Sequence, residues 1–195
     1  MKKIKIFLAS SNELKEDRDQ FEIEIYRKCK KWVDKGIFLH LDIWEDLSAR
    51  MSNTRSQDDY NQKIKEADLF VLLAYSKVGM YTAEEFETAF GAFQETKKPF
   101  IYIYFKEIHK YAADIIEPSL QEFKNKLGEL CHFPVNYSKF SDLWLEFNKE
   151  LERLEETDFA KHVRLEKKDG SRVINQGDKS AYIEKPKGDV NINFS

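Results

Sequence analysis

Leu69-Phe70-Val71-Leu72-Leu73 is an unbroken apolar run, entered through Ala67-Asp68 and left through Ala74-Tyr75-Ser76. A strand with one wet face alternates polar and apolar residues. A continuous run of this length reads instead as a strand buried on both faces, the kind found in the middle of a parallel sheet. Both faces of such a sheet must be covered by helices, and the flanking sequence supplies them. Upstream, Lys3 to Ala9 reads as a first strand ending in the polar turn Ser10-Ser11-Asn12. From Leu14 to Val33 the residues Leu14, Phe21, Ile25, Cys29 and Trp32 recur at helical spacing, and Gly36 stops that helix. Ile37 to Trp44 is a second strand, Glu45 to Gln57 a long polar loop, and Asp58 to Glu66 a short helix.

Downstream, the loop Tyr75 to Tyr81 leads to a helix over Thr82 to Phe93, and Lys97-Lys98-Pro99 introduces a fourth strand, Phe100 to Phe105. A helix over Leu120 to Leu130, a short fifth strand over Cys131 to Val135 and a closing helix with Leu143, Phe147, Leu151 and Leu154 in register complete the alternation. Alternation of this kind requires right-handed crossovers. The expected architecture is a three-layer, flavodoxin-like α/β domain with strand order 2-1-3-4-5 over residues 1–157. Beyond it, residues 158–195 form a tail in which Gly170, Gly177 and Gly188 punctuate short alternating stretches, including Val190, Ile192 and Phe194. This predicts a C-terminal appendage of one or two β-hairpins that packs on the domain, pairs with a partner's sheet edge or serves as a linker.

A chain of 195 residues, 42% hydrophobic and 34% charged, has room for one sizeable core. Its formal net charge of -3 gives no basic field for nucleic acid. No segment reaches the roughly 20 apolar residues of a membrane span, and Cys29 sits on an apolar helical stripe, so no membrane association and a cytoplasmic, reducing setting are expected. His40, His109, His132 and His162 show no metal-ligand spacing, and among seven glycines there is no G-x-G-x-x-G or Walker A pattern. Neither a metal nor a bound cofactor is expected.

Ligands of open α/β sheets bind beyond the carboxyl ends of the strands. That edge collects Ser10, Ser11, Trp44, Tyr75, Ser76 and the start of the Thr82 helix. Ser10 and Ser11 can donate to phosphate or ribose oxygens, or Ser11 can simply cap a helix. Trp44 and Tyr75 can stack on a heterocycle or pack at the rim. In the Thr82 helix, Phe86, Ala89, Phe90 and Phe93 predict the buried stripe. At about 100° per residue Glu84 points nearly opposite it and Glu85 lies at its edge. Thr82-Ala83-Glu84-Glu85 also matches a capping box, in which Glu85 only bonds the backbone of Thr82. Spacing alone leaves both roles open.

Ser10-Ser11 after the first strand, Asp17-Arg18, the Tyr60…Ile64…Ala67-Asp68 approach to the third strand, and Glu85-Phe86-x-x-Ala89 followed by Lys98-Pro99 together resemble the bacterial TIR-like domains over about residues 3 to 105. Gly79-Met80-Tyr81-Thr82 stands where many members carry Trp-Cys. The resemblance implies an enzyme that takes NAD as substrate and breaks its nicotinamide-ribose bond, with Glu85 as catalytic carboxylate, in bacterial immunity. It also makes Glu45 to Gln57 the family's assembly loop, so that this loop and the tail are candidates for self-association or partner binding. Nicotinamide leaves NAD as a neutral molecule, so one carboxylate beside the developing cation can suffice, and a helix N-terminus favours its ionised form. Two other readings remain: a nucleoside deoxyribosyltransferase-like enzyme, whose similar fold also carries a helical Glu, and a non-catalytic TIR-like adaptor.

Overall fold

The computed structural model describes residues 1–43, 56–108 and 116–157. Its centre is the third strand, β3 (Leu69–Ala74), in which every residue is buried. The neighbours are β1 (Lys2–Ser10), β2 (Ile37–Asp42), β4 (Phe100–Lys106) and β5 (Val135–Tyr137), all parallel, in the order β2-β1-β3-β4-β5. The alternating sequence thus folds as a flavodoxin-like α/β sheet, in the strand order expected. Among the described residues five α-helices cover it: α1 (Lys15–Val33), α2 (Ser56–Glu66), α3 (Met80–Thr96), α4 (Pro118–Glu129) and α5 (Phe140–Glu156).

The period-2 alternation of β3 divides the core in two. Leu69, Val71 and Leu73 join Phe21, Ile25 and Trp32 of α1 and Leu143, Phe147 and Leu151 of α5 on one face. Phe70, Leu72 and Ala74 join Ile64 of α2, Phe86 and Ala89 of α3, and Leu120, Phe123 and Leu127 of α4 on the other. Asp68 stitches the amino ends of three strands: its carboxylate accepts from Lys5 N at 3.0 Å, its N–H donates to Lys5 O, and its carbonyl accepts from Phe100 N. Gly36 ends the turn after α1 with φ 79°, a conformation glycine adopts without a Cβ clash, and its carbonyl accepts from Lys2 N. Cys29 behaves as the small buried hydrophobe expected, and its Sγ accepts from Leu39 N at 3.3 Å.

Several boundaries differ from expectation. β2 ends at Asp42 rather than Trp44, which lies outside the described residues. α3 begins at Met80, two residues before Thr82. The fifth strand is Val135–Tyr137 rather than Cys131 to Val135. Cys131 instead closes the end of α4 in a left-handed turn with φ 53°, where its N–H and that of His132 bond back to Gly128 and Leu127 carbonyls. α5 starts at Phe140, three residues earlier than its first in-register leucine. The Glu45 to Gln57 segment lies outside the described residues except where it opens α2, and the tail over residues 158–195 lies outside them altogether.

Phe70 is fully buried and stacks on Phe7 with ring centroids 6.0 Å apart. Phe70→Ala is therefore expected to cost about 3–5 kcal/mol in urea unfolding. Leu145→Ala on the exposed side of α5 is expected to change stability by less than about 0.5 kcal/mol.

Candidate functional site

The helical connections leave β1 and β3 in opposite directions and on opposite faces of the sheet, which opens a crevice beyond their carboxyl ends. Ser10 ends β1, and its register partner in β3 is Leu73, one residue before the strand runs into Ala74, Tyr75 and Ser76. The three serines predicted for the site do converge here. Glu13, which the sequence reading passed over, joins them: its Oε1 accepts from Ser11 Oγ at 3.0 Å and from Ser76 N at 3.0 Å, and its Oε2 accepts from Ser76 Oγ at 2.7 Å. Ser11 precedes a short 3-10 turn, Asn12–Leu14, but makes no side-chain cap to it. Its hydroxyl goes to Glu13 instead.

Beneath this cluster lies a second layer of charge. Arg18 is 1% exposed, and its Nη1 donates to Ser10 Oγ at 2.8 Å and to the Ser11 carbonyl at 2.7 Å. Asp17, also buried, accepts from the Tyr137 hydroxyl at 2.8 Å and from Lys106 Nζ at 2.9 Å, tying the carboxyl ends of β4 and β5 to α1. Burial and the neighbouring Asp17 push the Tyr137 hydroxyl well above the usual tyrosine range. Buried charges are costly unless paired and hydrogen-bonded, so these contacts fix the floor of the edge. A sequence signal for Arg18 existed: Leu14, Arg18, Phe21, Ile25 is a helical stripe with a cation at a core position.

Tyr75 is half-buried and packs against the core shared by α1 and α5. The neighbours of Glu85 belong to the other core. Trp44 lies outside the described residues.

Glu85 occupies a different environment. Because α3 starts at Met80 with Gly79 preceding it, Thr82 is inside the helix, and of the two roles the spacing left open for Glu85 the capping box does not form. The buried face of α3 is Thr82, Glu85, Phe86 and Ala89, while Phe90 and Phe93 are only half-buried, so the stripe runs nearer the N-terminus than expected. Glu84 is half-buried rather than pointing away: it accepts from Asn61 Nδ2 of α2 at 3.0 Å. Glu85 is 8% exposed, and among the described residues none donates a hydrogen bond to it. Among the described residues no fully buried side-chain oxygen lacks a partner, so this carboxyl keeps contact with the surface. Burial, with a smaller push from Glu84, raises its pKa from 4.5 to about 8. The expectation that the helix N-terminus keeps it ionised is thus overturned. Glu85 lies in the second turn, past the short reach of the terminal dipole, and desolvation wins.

Among the described residues no cluster of His, Cys, Asp and Glu could hold a metal, and no helix is long and apolar enough to cross a membrane. His109 and His162 lie outside those residues. A groove of about 550 Å³ between α1 and α5 is lined by Lys28, Lys31, Lys35, Glu152, Glu155 and Glu156, and two ion pairs cross it, Lys28 with Glu152 and Lys35 with Glu155. It lies against the core opposite α3.

No family model and no curated protein matches the chain. Among solved structures, the chain is similar to the crystal structure of a conserved protein from Enterococcus faecalis V583, at 15% identity and a TM-score of 0.44, covering 75% of this chain and 98% of that one.

The raised pKa of Glu85 makes a stability prediction. Below pH 4.5 the folded and unfolded chains both hold the proton. Between pH 4.5 and about 8 the unfolded chain releases it while the folded chain keeps it, so this residue lowers stability progressively as pH rises. Glu85→Gln removes that burden. Its stability relative to the parent chain should climb by about 3 kcal/mol between about pH 5 and 8, read from urea unfolding at each pH. A difference independent of pH would contradict the assignment.

Proposed function

We propose that the chain is a TIR-like NAD-consuming enzyme, a glycohydrolase or cyclase that breaks the nicotinamide-ribose bond and acts as an effector or signal generator in bacterial immunity. The observation that supports the chemistry is the Glu85 carboxyl: inward-facing, without a hydrogen-bond partner among the described residues, yet open to the surface. Leaving a buried carboxyl unpaired costs stability. A cationic ligand supplies what the protein withholds. The immune role rests on the sequence resemblance, as does assembly through residues 45–57; the tail is a second candidate surface for it.

On this reading the free enzyme holds Glu85 neutral at pH 7. The positive nicotinamide ring, brought beside it, lowers its pKa and releases its proton. As the bond from ribose C1′ to the pyridinium nitrogen breaks, the electron pair passes to that nitrogen and nicotinamide leaves neutral. Positive charge moves to C1′, where the Glu85 carboxylate stabilises it. Water then bonds to C1′ and loses a proton, or an adenine nitrogen does so in the cyclising reaction. No general acid is needed, because the leaving group is already charged.

The test is mass spectrometry of products after incubating the protein at high concentration with NAD and, separately, with pairs of deoxynucleosides and free bases. NAD loss with release of nicotinamide is expected, and Glu85→Gln should lower it by at least about a hundredfold. Because the ionised form is the active one, kcat/KM should rise with pH and level off near 8. Base exchange between deoxynucleosides without NAD loss would favour the transferase reading. No turnover of either substrate would leave the adaptor.

A further inference from the structure

We propose that the crevice between β1 and β3 is an anion site for a phosphate or pyrophosphate group, and that Glu13 is a built-in competitor occupying it. The donors come from both sides of the crevice: Ser11 Oγ from the end of β1, and Ser76 N and Ser76 Oγ from the loop after β3. All three converge on one carboxylate within 3.0 Å. Two hydroxyls and a backbone N–H aimed at one point form the kind of donor set that holds a phosphate oxygen. Arg18 lies behind it, buried and donating to Ser10 Oγ and the Ser11 carbonyl, so a cation backs the turn that carries the donors. The place is also the switch point of the sheet, where open α/β folds bind their ligands.

Glu13 is itself exposed, on the 3-10 turn between β1 and α1, and an exposed carboxylate is well solvated without such partners. Its place among the donors satisfies them in the free protein, and its position on a short turn lets it swing out when a stronger anion enters. A ligand phosphate must displace it, so the apparent affinity is lowered by the fraction of time the carboxylate is in place. The inference rests on the proposed NAD chemistry only in taking the pyrophosphate to be that of a dinucleotide.

Isothermal titration with inorganic pyrophosphate tests the site without reference to turnover. Glu13→Ala should bind it at least about tenfold more tightly than the parent chain. Adding Ser76→Ala to that variant should remove most of the gain. Glu16→Ala, which deletes an exposed carboxylate from the first turn of α1 and frees no donor, should leave affinity within about twofold, separating a freed site from a change in overall charge. With NAD, Glu13→Ala should lower KM. If Glu13→Ala folds and its pyrophosphate affinity is unchanged or weaker, the proposal fails. Should Glu13→Ala not fold, Glu13→Gln takes its place, and unfolding of both would make the contact a structural clasp and overturn the proposal. Tighter pyrophosphate binding without NAD turnover keeps the anion site and discards the enzyme. Glu85-dependent NAD turnover with unaltered pyrophosphate binding does the reverse.

Discussion

Everything in this fold depends on burying β3 on both faces. Its residues present two apolar surfaces, and neither can be left to water at about 25 cal/mol per Å². Helices must therefore lie on both sides, and right-handed crossovers then allow few ways of placing them. With α1 and α5 on one face and α2, α3 and α4 on the other, the chain must leave β1 and β3 in opposite directions. The crevice at the carboxyl edge is a consequence of that reversal. The site is thus positioned by hydrophobic packing well before any polar residue contributes.

The polar residues then divide by how they meet the cost of burial. Asp17 and Arg18 are deep in the protein but fully engaged, Asp17 with Lys106 and Tyr137, Arg18 with Ser10 and the Ser11 carbonyl. They tie the ends of β1, β4 and β5 to α1 and make the edge rigid, which suits a site that must hold its geometry. Glu85 is nearly as buried and, among the described residues, has no such support. It meets the cost by holding a proton. A residue that destabilises the fold as pH rises, on a helix otherwise packed with Phe86 and Ala89, is the arrangement expected where function and stability compete.

The legible part of the structure was the part governed by periodicity. Leu69 to Leu73, the alternation around it and the apolar stripe of α1 were enough for the strand order, because hydrophobic burial acts over whole segments. Boundaries were less legible, since they depend on local backbone choices. Thr82 has the chemistry of a helix cap, yet Gly79 precedes the first turn and Thr82 faces inward with Glu85. The same misplacement of the helix start left a capping role open for Glu85 and gave it an ionised state that burial opposes. Cys131 fell in a left-handed turn rather than a strand, for which its side chain gives no signal. Ser10, Ser11 and Ser76 were found because topology brings strand ends together. Glu13 was not, because an acidic residue in the first turn after a strand is ordinary, and only the distance to Ser76, across 63 positions of sequence, distinguishes it.

Two carboxyls at one end of a molecule thus have opposite fates. Glu85, without donors, sheds its charge, whereas Glu13 lies among three. A pyridine dinucleotide carries the complementary pair, a cationic ring at one end and an anionic pyrophosphate beside it. On the readings proposed above, the free protein supplies each half of that pattern from within itself: a proton neutralises the carboxyl that the ring would meet, and a carboxylate fills the crevice that the pyrophosphate would enter. Binding then exchanges internal charges for those of the ligand rather than adding charge to a buried edge. Such an exchange leaves either half compensated when the other is filled, so a ligand that carries both groups gains over one that carries either alone by joining two independent contacts in one molecule.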